Sequence, residues 1–208
     1  PTAGILALAP RCVVSIIDVR FLNQHATIDI GLAHSPILST LDVLDALVAS
    51  GVLSDDDRLE HRTRLRQAGY FFVPVNVDEL EECLRGSTVA RGRVVETAEL
   101  KAIRESVLRV RMSDWLQLPQ EAPWLDGTLK AFIRVLRNRW ADGADLDEIT
   151  ARSNWLFEQV DIRGWAHSLD PENADAVVRV GRAVHILLLL APLTDVQQRI
   201  VDAYWNWV

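Results

Sequence analysis

An apolar run over residues 12–17 ends at Asp18, and this junction constrains the fold more than any other stretch of the chain. A short, continuous apolar run is typical of a strand that is buried in a sheet. A second strand-like stretch follows over residues 36–40. Asp18 is thereby predicted at the C-terminal end of a strand, where open α/β folds keep their functional groups. The order of strand, loop, strand and helix predicts half of an α/β domain of the kind that processes nucleotides.

Two helix signals follow the second strand. Ser39 or Thr40 is predicted to cap a helix that Gly51 ends. Ser54, with an aspartate three residues later, resembles a capping box and predicts a second helix, which stops at Gly69. The first ninety residues therefore read as a mixed α/β segment.

The next stretch predicts a change of architecture. Residues 70–75 read as a short strand at the edge of a sheet, and Asn76 with Glu79 repeats the capping signal for another helix. Residues 86–95 are rich in Gly, Arg, Ser and Thr, which predicts a linker. We therefore predict two domains, an α/β domain over residues 1–90 and an all-α helical bundle over residues 95–208.

Apolar side chains at helical spacing support the second domain. Three stripes recur every three or four residues, at Leu100, Ile103, Val107 and Val110, at Leu125, Leu129, Phe132, Leu136 and Trp140, and at Leu146, Ile149, Leu156 and Val160. Two more helices are predicted over about 172–191 and 194–207. All seven tryptophans fall in this half, which separates its composition from that of the first. The whole chain is predicted to be helix-rich.

The first domain resembles part of a known nuclease family. Asp18-Val19-Arg20 follows a strand, Ser39-Thr40-Leu41-Asp42 lies at the next strand-to-helix junction, and residues 64–70 end a helix with Gly followed by an aromatic residue. These features resemble the C-terminal half of a PIN domain, over about residues 12–84. The resemblance implies a partial parallel sheet and a metal-dependent ribonuclease fold, which is common in bacterial toxin and conflict systems. The chain begins at Pro1 without an initiator methionine, so we expect a module of a larger bacterial polypeptide.

The resemblance assigns the chemistry to carboxylates. Asp18 is the predicted metal ligand and catalytic acid, and Asp42 is a second catalytic candidate at the start of the following helix. Hydrolysis of a phosphodiester with Mg²⁺ or Mn²⁺ requires several carboxylates that converge on the ion. A structural alternative stays open, in which Asp18 and Arg20 form a local turn pair and Asp42 favours the helix N-terminus through the helix dipole.

Arginines provide the predicted RNA contacts. Arg20 follows the predicted metal ligand, and Arg58, Arg62 and Arg66 recur at helical spacing, so that all four could contact phosphates. The formal net charge of −7 excludes a chain that is basic overall but permits local basic clusters. RNA is therefore the predicted ligand, with another protein or other domains of the same polypeptide as further partners.

Other function classes lack their sequence signatures. The chain contains no GxSxG, P-loop or GxGxxG motif, and its longest apolar stretch, over residues 183–193, is too short to cross a bilayer. Cys12 and Cys83 are far apart and predict buried thiols in the cytoplasm. The alternative function is a non-enzymatic helical interaction or regulatory module with a degenerate α/β half. Val19 favours that alternative, because it stands where the nuclease family has a second acid.

Overall fold

The computed structural model describes residues 14–30, 33–113, 118, 121–143, 145–161 and 189–208. The chain divides between Arg62 and Thr63 into two compact units, with residue 118 counted in the first. We call them the α/β unit and the helical unit. Helices predominate and the sheets are small, which agrees with the predicted combination of α/β and helical structure.

The α/β unit contains a three-stranded mixed sheet. Its strands are β1 (Ser15–Ile16), β2 (Thr27–Ile30) and β3 (Ala33–Leu38), in the order β1-β3-β2. β1 runs parallel to β3, and β2 pairs with β3 in the antiparallel direction. Part of the loop that the sequence predicts between the two strands is therefore the strand β2. Ile17 and Ile28 are buried together beneath this sheet.

Two helices follow the sheet, α1 (Thr40–Ala49) and α2 (Asp55–Gln67). The predicted cap of α1 is confirmed, since Ser39 is its N-cap and accepts a hydrogen bond from the Asp42 amide. At the end of α2, Gly69 has a φ of +87°, a backbone conformation that favours glycine.

The helical unit is built from five helices and one hairpin among its described residues. They are α3 (Val77–Gly86), β4 (Thr88–Ala90), β5 (Arg93–Val95), α4 (Ala98–Arg111), α5 (Glu121–Ala141), α6 (Leu146–Val160) and α7 (Gln198–Trp207). The predicted apolar stripes face the core, and the side chains of Leu100, Phe132, Leu136 and Leu156 are completely buried. The predicted helix over 194–207 corresponds to α7, whereas the one over 172–191 lies mostly outside the described residues.

Two local predictions are wrong. Residues 86–95 are not a linker, because β4 and β5 pair there as an antiparallel hairpin. Residues 70–75 do not form a strand, since Phe72 has a φ of +59° and cannot continue an extended ladder. α3 places Leu80 and Leu84 in the same buried cluster as α4, α5 and α6, so the helical core begins well before residue 95.

None of the helices in the described part of the chain combines the length and the apolar character that a membrane span requires.

Candidate functional site

Asp18 lies at the carboxyl edge of the mixed sheet. The parallel register pairs Ser15 with Ile37 and Ile16 with Leu38, and the Ile17 amide donates a hydrogen bond of 2.8 Å to the Leu38 carbonyl. Because β1 and β3 point the same way, the residues that follow them emerge at one edge. The predicted position of Asp18 at the end of a strand is therefore confirmed.

Thr40 holds the Asp18 carboxylate in place. The Thr40 backbone amide donates to Asp18 Oδ1 over 2.8 Å, and the Thr40 hydroxyl donates to Asp18 Oδ2. Thr40 is the first residue of α1, so the acid at the end of one strand satisfies an amide at the start of the helix that follows the neighbouring strand. Asp18 remains exposed in this arrangement.

Asp42 is held by the residue just before Thr40. The Ser39 amide and the Ser39 hydroxyl each donate to Asp42 Oδ2 over 2.7 Å, which completes a capping box. Two consecutive backbone amides, those of Ser39 and Thr40, thus bind the two predicted catalytic carboxylates. We call Asp18 and Asp42 the carboxylate pair.

The carboxylate pair has oxygen ligands of the kind that a hard divalent cation prefers, but it provides only two side chains. Each carboxylate oxygen can accept more than one bond, so the contacts with Ser39 and Thr40 do not exhaust its acceptor capacity. Mg²⁺ often binds through only one or two carboxylates together with water and substrate phosphates. Among the described residues, no group of three or more His, Cys, Asp or Glu side chains is arranged to hold a metal. The pair therefore fits part of a ligand set.

Arg20 lies just beyond the carboxylate pair in the sequence. It is half-buried in the turn after β1, and its guanidinium lies 5.4 Å from the centroid of the Phe21 ring. Stacking on an aromatic face holds the planar guanidinium without using all five of its donors. Phe21 itself is 59% exposed, so this stacked pair lies at the protein surface.

The predicted basic stripe on α2 is largely buried. Arg58 bonds Asp55 over 2.7 Å and lies 3.9 Å from Asp45, whereas Arg62 and Arg66 are only 5% and 1% exposed. A phosphate backbone requires accessible guanidinium groups. The predicted phosphate contacts at Arg62 and Arg66 are therefore incompatible with this burial, and Arg58 is the most accessible of the three.

Arg66 instead belongs to a buried ion pair that the sequence did not reveal. Its Nη1 and Nη2 donate to the two oxygens of Glu79 over 2.5 and 3.1 Å, and Nη2 also donates to the Pro74 carbonyl over 2.8 Å. The sequence predicts Glu79 as part of a capping signal with Asn76, but the Asn76 side chain makes no cap hydrogen bond. The burial of an arginine on an otherwise polar helix is a tertiary property that local spacing does not encode.

Glu96, a second acid of the helical unit, connects the end of β5 to α4 and α6 through hydrogen bonds. Glu96 Oε1 accepts hydrogen bonds from Arg104 over 2.6 Å and from the Trp155 ring nitrogen over 2.8 Å. Burial acts to raise the pKa of Glu96, but the hydrogen bonds from these two side chains outweigh it and hold that pKa below its usual value. Glu96 is therefore a structural carboxylate.

The described cysteine has no feature of a reactive thiol. Cys83 is a free thiol on α3, and burial raises its pKa to about 11, with Glu79 adding to the shift. A thiol with a raised pKa is a poor nucleophile at neutral pH. Cys12 lies outside the described residues.

Comparisons with family models, with curated proteins and with solved structures found nothing that matches this chain.

Proposed function

We propose that the α/β unit is a PIN-like, metal-dependent ribonuclease module of a larger cytoplasmic bacterial protein. The observation that supports this proposal best is the carboxylate pair, in which the amides of Ser39 and Thr40 hold Asp42 and Asp18 at the carboxyl edge of parallel strands. The resemblance of residues 12–84 to the C-terminal half of that family adds to it. The remaining ligands would come from residues outside this edge.

The roles follow from the contacts. Asp18 and Asp42 would hold Mg²⁺ or Mn²⁺, which supplies an activated water and neutralises charge on the phosphate. Thr40 and Ser39 orient these carboxylates through their amides and hydroxyls, which keeps the oxygens from rotating freely. Arg20, at the surface just after Asp18, would contact a phosphate of the RNA.

The test is Mn²⁺-dependent cleavage of RNA by the full-length polypeptide and by two variants. Asp18→Asn keeps the shape of the side chain but removes the charge that the cation requires, so we expect cleavage to fall by roughly a hundredfold or more. Asp56→Asn is the matched control, because Asp56 is an exposed acid in the first turn of α2. Equal cleavage by the wild type and Asp18→Asn would remove Asp18 from the mechanism.

One observation favours the alternative of a non-enzymatic interaction or regulatory module. Within the described ranges no group of three or more His, Cys, Asp or Glu side chains could hold a metal, and Val19, where the resemblance would place another acid, is 43% exposed. In that case Asp18 and Asp42 serve only to cap α1. Absence of any Mn²⁺-dependent cleavage by the wild-type full-length polypeptide would contradict the nuclease proposal and support this one.

A further inference from the structure

The β4–β5 hairpin and the end of α3 that precedes it carry positive charges that neither predicted function uses. Residues 83–95 contain three arginines and no aspartate or glutamate, in a protein whose formal net charge is −7. Arg85, Arg91 and Arg93 are all exposed. In the described part of the chain, none of the three forms an ion pair.

The turn of the hairpin is built in an unusual way. Ala90 pairs with Arg93, so Arg91 and Gly92 alone form the connection, and their φ angles are +53° and +70°. Positive φ at both positions is the signature of a type I′ turn, which favours Asn-Gly, Asp-Gly or Gly-Gly. A long side chain such as Arg adopts this conformation at an energetic cost.

The Arg91 side chain makes no contact that offsets this cost. Among the described residues it is exposed and takes part in no hydrogen bond, ion pair or ring contact. A strained residue that makes no contact of its own is a reason to look for a function outside the molecule. The sequence places a cation where the backbone would prefer asparagine.

The hairpin packs against the helical unit, which fixes the position of the backbone that carries Arg91 and Arg93. Val94 packs against the core of the helical unit, and both strands contact α6. Arg152 on α6 donates to the Ser87 carbonyl just before β4, over 3.1 Å. Ala90 and Arg93 share the outer, exposed face.

Nearby acids do little to neutralise the patch. Glu96, which follows β5, is already bonded to Arg104, and Glu148 on α6 pairs with Arg152 over 2.7 Å. Glu82 lies one turn before Arg85 on α3, but no ion pair joins the two within the described residues. The charges of Arg85, Arg91 and Arg93 are therefore exposed to solvent and are not neutralised by these acids.

We propose that the β4–β5 hairpin binds the phosphate backbone of single-stranded RNA through Arg91 and Arg93, with Arg85 adding to the field. Guanidinium groups bond phosphate oxygens with two parallel donors, which suits this use better than a point charge. The tip, Ala90 to Arg93, carries no bulky apolar side chain to insert into a bilayer, which argues against a lipid surface. The choice of RNA among polyanions rests on the proposed ribonuclease function.

The test measures RNA binding separately from cleavage. Fluorescence anisotropy of a labelled single-stranded oligouridine is followed in EDTA over a series of NaCl concentrations, with the wild type and the double variant Arg91→Asn/Arg93→Gln. Asparagine suits the turn better than arginine does, so the thermal midpoint should be unchanged or higher. We expect affinity at low salt to fall roughly tenfold, and the slope of log K against log salt to decrease by about 1.4, at about 0.7 for each lost phosphate contact.

The matched control is Lys101→Gln/Arg134→Gln, which removes two exposed charges from other surfaces of the helical unit. We expect it to change affinity less than about twofold at the same salt. Equal losses in the two double variants would overturn the proposal, because only net charge would then matter. Binding to phosphatidylserine vesicles without binding to oligouridine would overturn it as well. Asp18→Asn should bind oligouridine normally in EDTA, so a failure of the nuclease proposal is read from cleavage alone.

Discussion

Two acids of the α/β unit and two acids of the helical unit differ in their burial and in the partners that hold them. Asp18 and Asp42 are exposed and are held by residues at the start of one helix. Glu79 is 4% exposed and the Glu96 side chain is 20% exposed, and each bonds a partner from another part of the sequence. Glu79 and Glu96 therefore stabilise the helical unit through contacts away from solvent, whereas Asp18 and Asp42 stay accessible to solvent.

Exposed and buried acids differ in how much free energy of unfolding their contacts contribute. A solvent-exposed hydrogen bond or cap contributes about 1 kcal/mol, because water can replace either partner. Removing one member of a buried ion pair costs about 3–5 kcal/mol, since the other charge is left without compensation in a medium of low dielectric. Loss of one member of the buried Arg66–Glu79 pair should therefore lower the free energy of unfolding several times more than loss of the exposed cap at Ser39.

The largest effect is expected at the buried ion pair. Glu79→Ala leaves the Arg66 guanidinium buried beside an empty position and should lower the free energy of unfolding by about 3–5 kcal/mol. Urea unfolding followed by tryptophan fluorescence measures this change in the helical unit, because every tryptophan lies in that half of the sequence. Glu82→Ala, an exposed acid on the same helix, should cost less than about 0.5 kcal/mol.

A double variant sharpens the same contrast. Arg66→Met/Glu79→Leu replaces both charges by apolar side chains and should cost less than Glu79→Ala alone, although the Pro74 carbonyl also loses its donor. A double variant as unstable as the single one would show that the pair stabilises the fold directly, rather than only satisfying its own burial.

The next effect concerns Glu96 and depends on pH. Glu96→Gln should cost about 1–2 kcal/mol at neutral pH, because the charged hydrogen bond with Arg104 is lost. The pKa of Glu96 is lower in the folded protein than its ordinary value of 4.5, so its contribution is complete above that pH and disappears as the pH falls through the folded pKa. Urea unfolding at about pH 7 and at about pH 3 should show the difference from wild type shrinking in acid.

The control for this pH dependence is Glu105→Gln. The Glu105 side chain is 45% exposed, and its ion pairs with Lys101 and Arg104 are long, at 3.8 Å each. It should change stability by less than about 0.5 kcal/mol at either pH. A constant difference between wild type and Glu96→Gln across this range would contradict the assigned role of Glu96.

The smallest effect is expected in the α/β unit. Ser39→Ala removes the hydroxyl that caps α1 and should destabilise that helix by about 1 kcal/mol. Hydrogen exchange of peptides from Thr40–Ala49 measures it locally, and Ser50→Ala at the other end of the helix is the control. If Ser39→Ala lowered the stability of α1 by about 3 kcal/mol or more, the value typical of a buried group, the predicted contrast between the exposed cap and the buried pair would be wrong.

Local signals in the sequence predicted much of the helical structure. The cap at Ser39 and the capping box formed by Ser54 and Asp57 are confirmed, with the Ser54 hydroxyl donating to Asp57 over 2.7 Å. The Ser54 bonds also lower the pKa of Asp57. Such contacts span three residues, so the sequence alone contains all their participants.

Non-local contacts account for the predictions that failed. Residues 70–75 have the composition of a strand. However, the Trp124 ring nitrogen donates a hydrogen bond of 3.1 Å to the Val73 carbonyl, and Arg66 donates one to the Pro74 carbonyl. Those carbonyls are the groups that a strand would have offered to a neighbour. The burial of Arg66 in the basic stripe has a similar origin, because Glu79 from the next helix pairs with its guanidinium.

Patterns in the amino-acid sequence were enough to predict most helices, their apolar faces and the acid that follows the first strand, because these features depend on residues a few positions apart. Only the folded chain shows that Glu79 is the buried partner of Arg66, that consecutive amides hold Asp18 and Asp42, and that Arg91 is exposed in a tight turn. Desolvation and hydrogen-bond pairing depend on the groups that folding brings within a few ångströms, and spacing along the sequence does not record them.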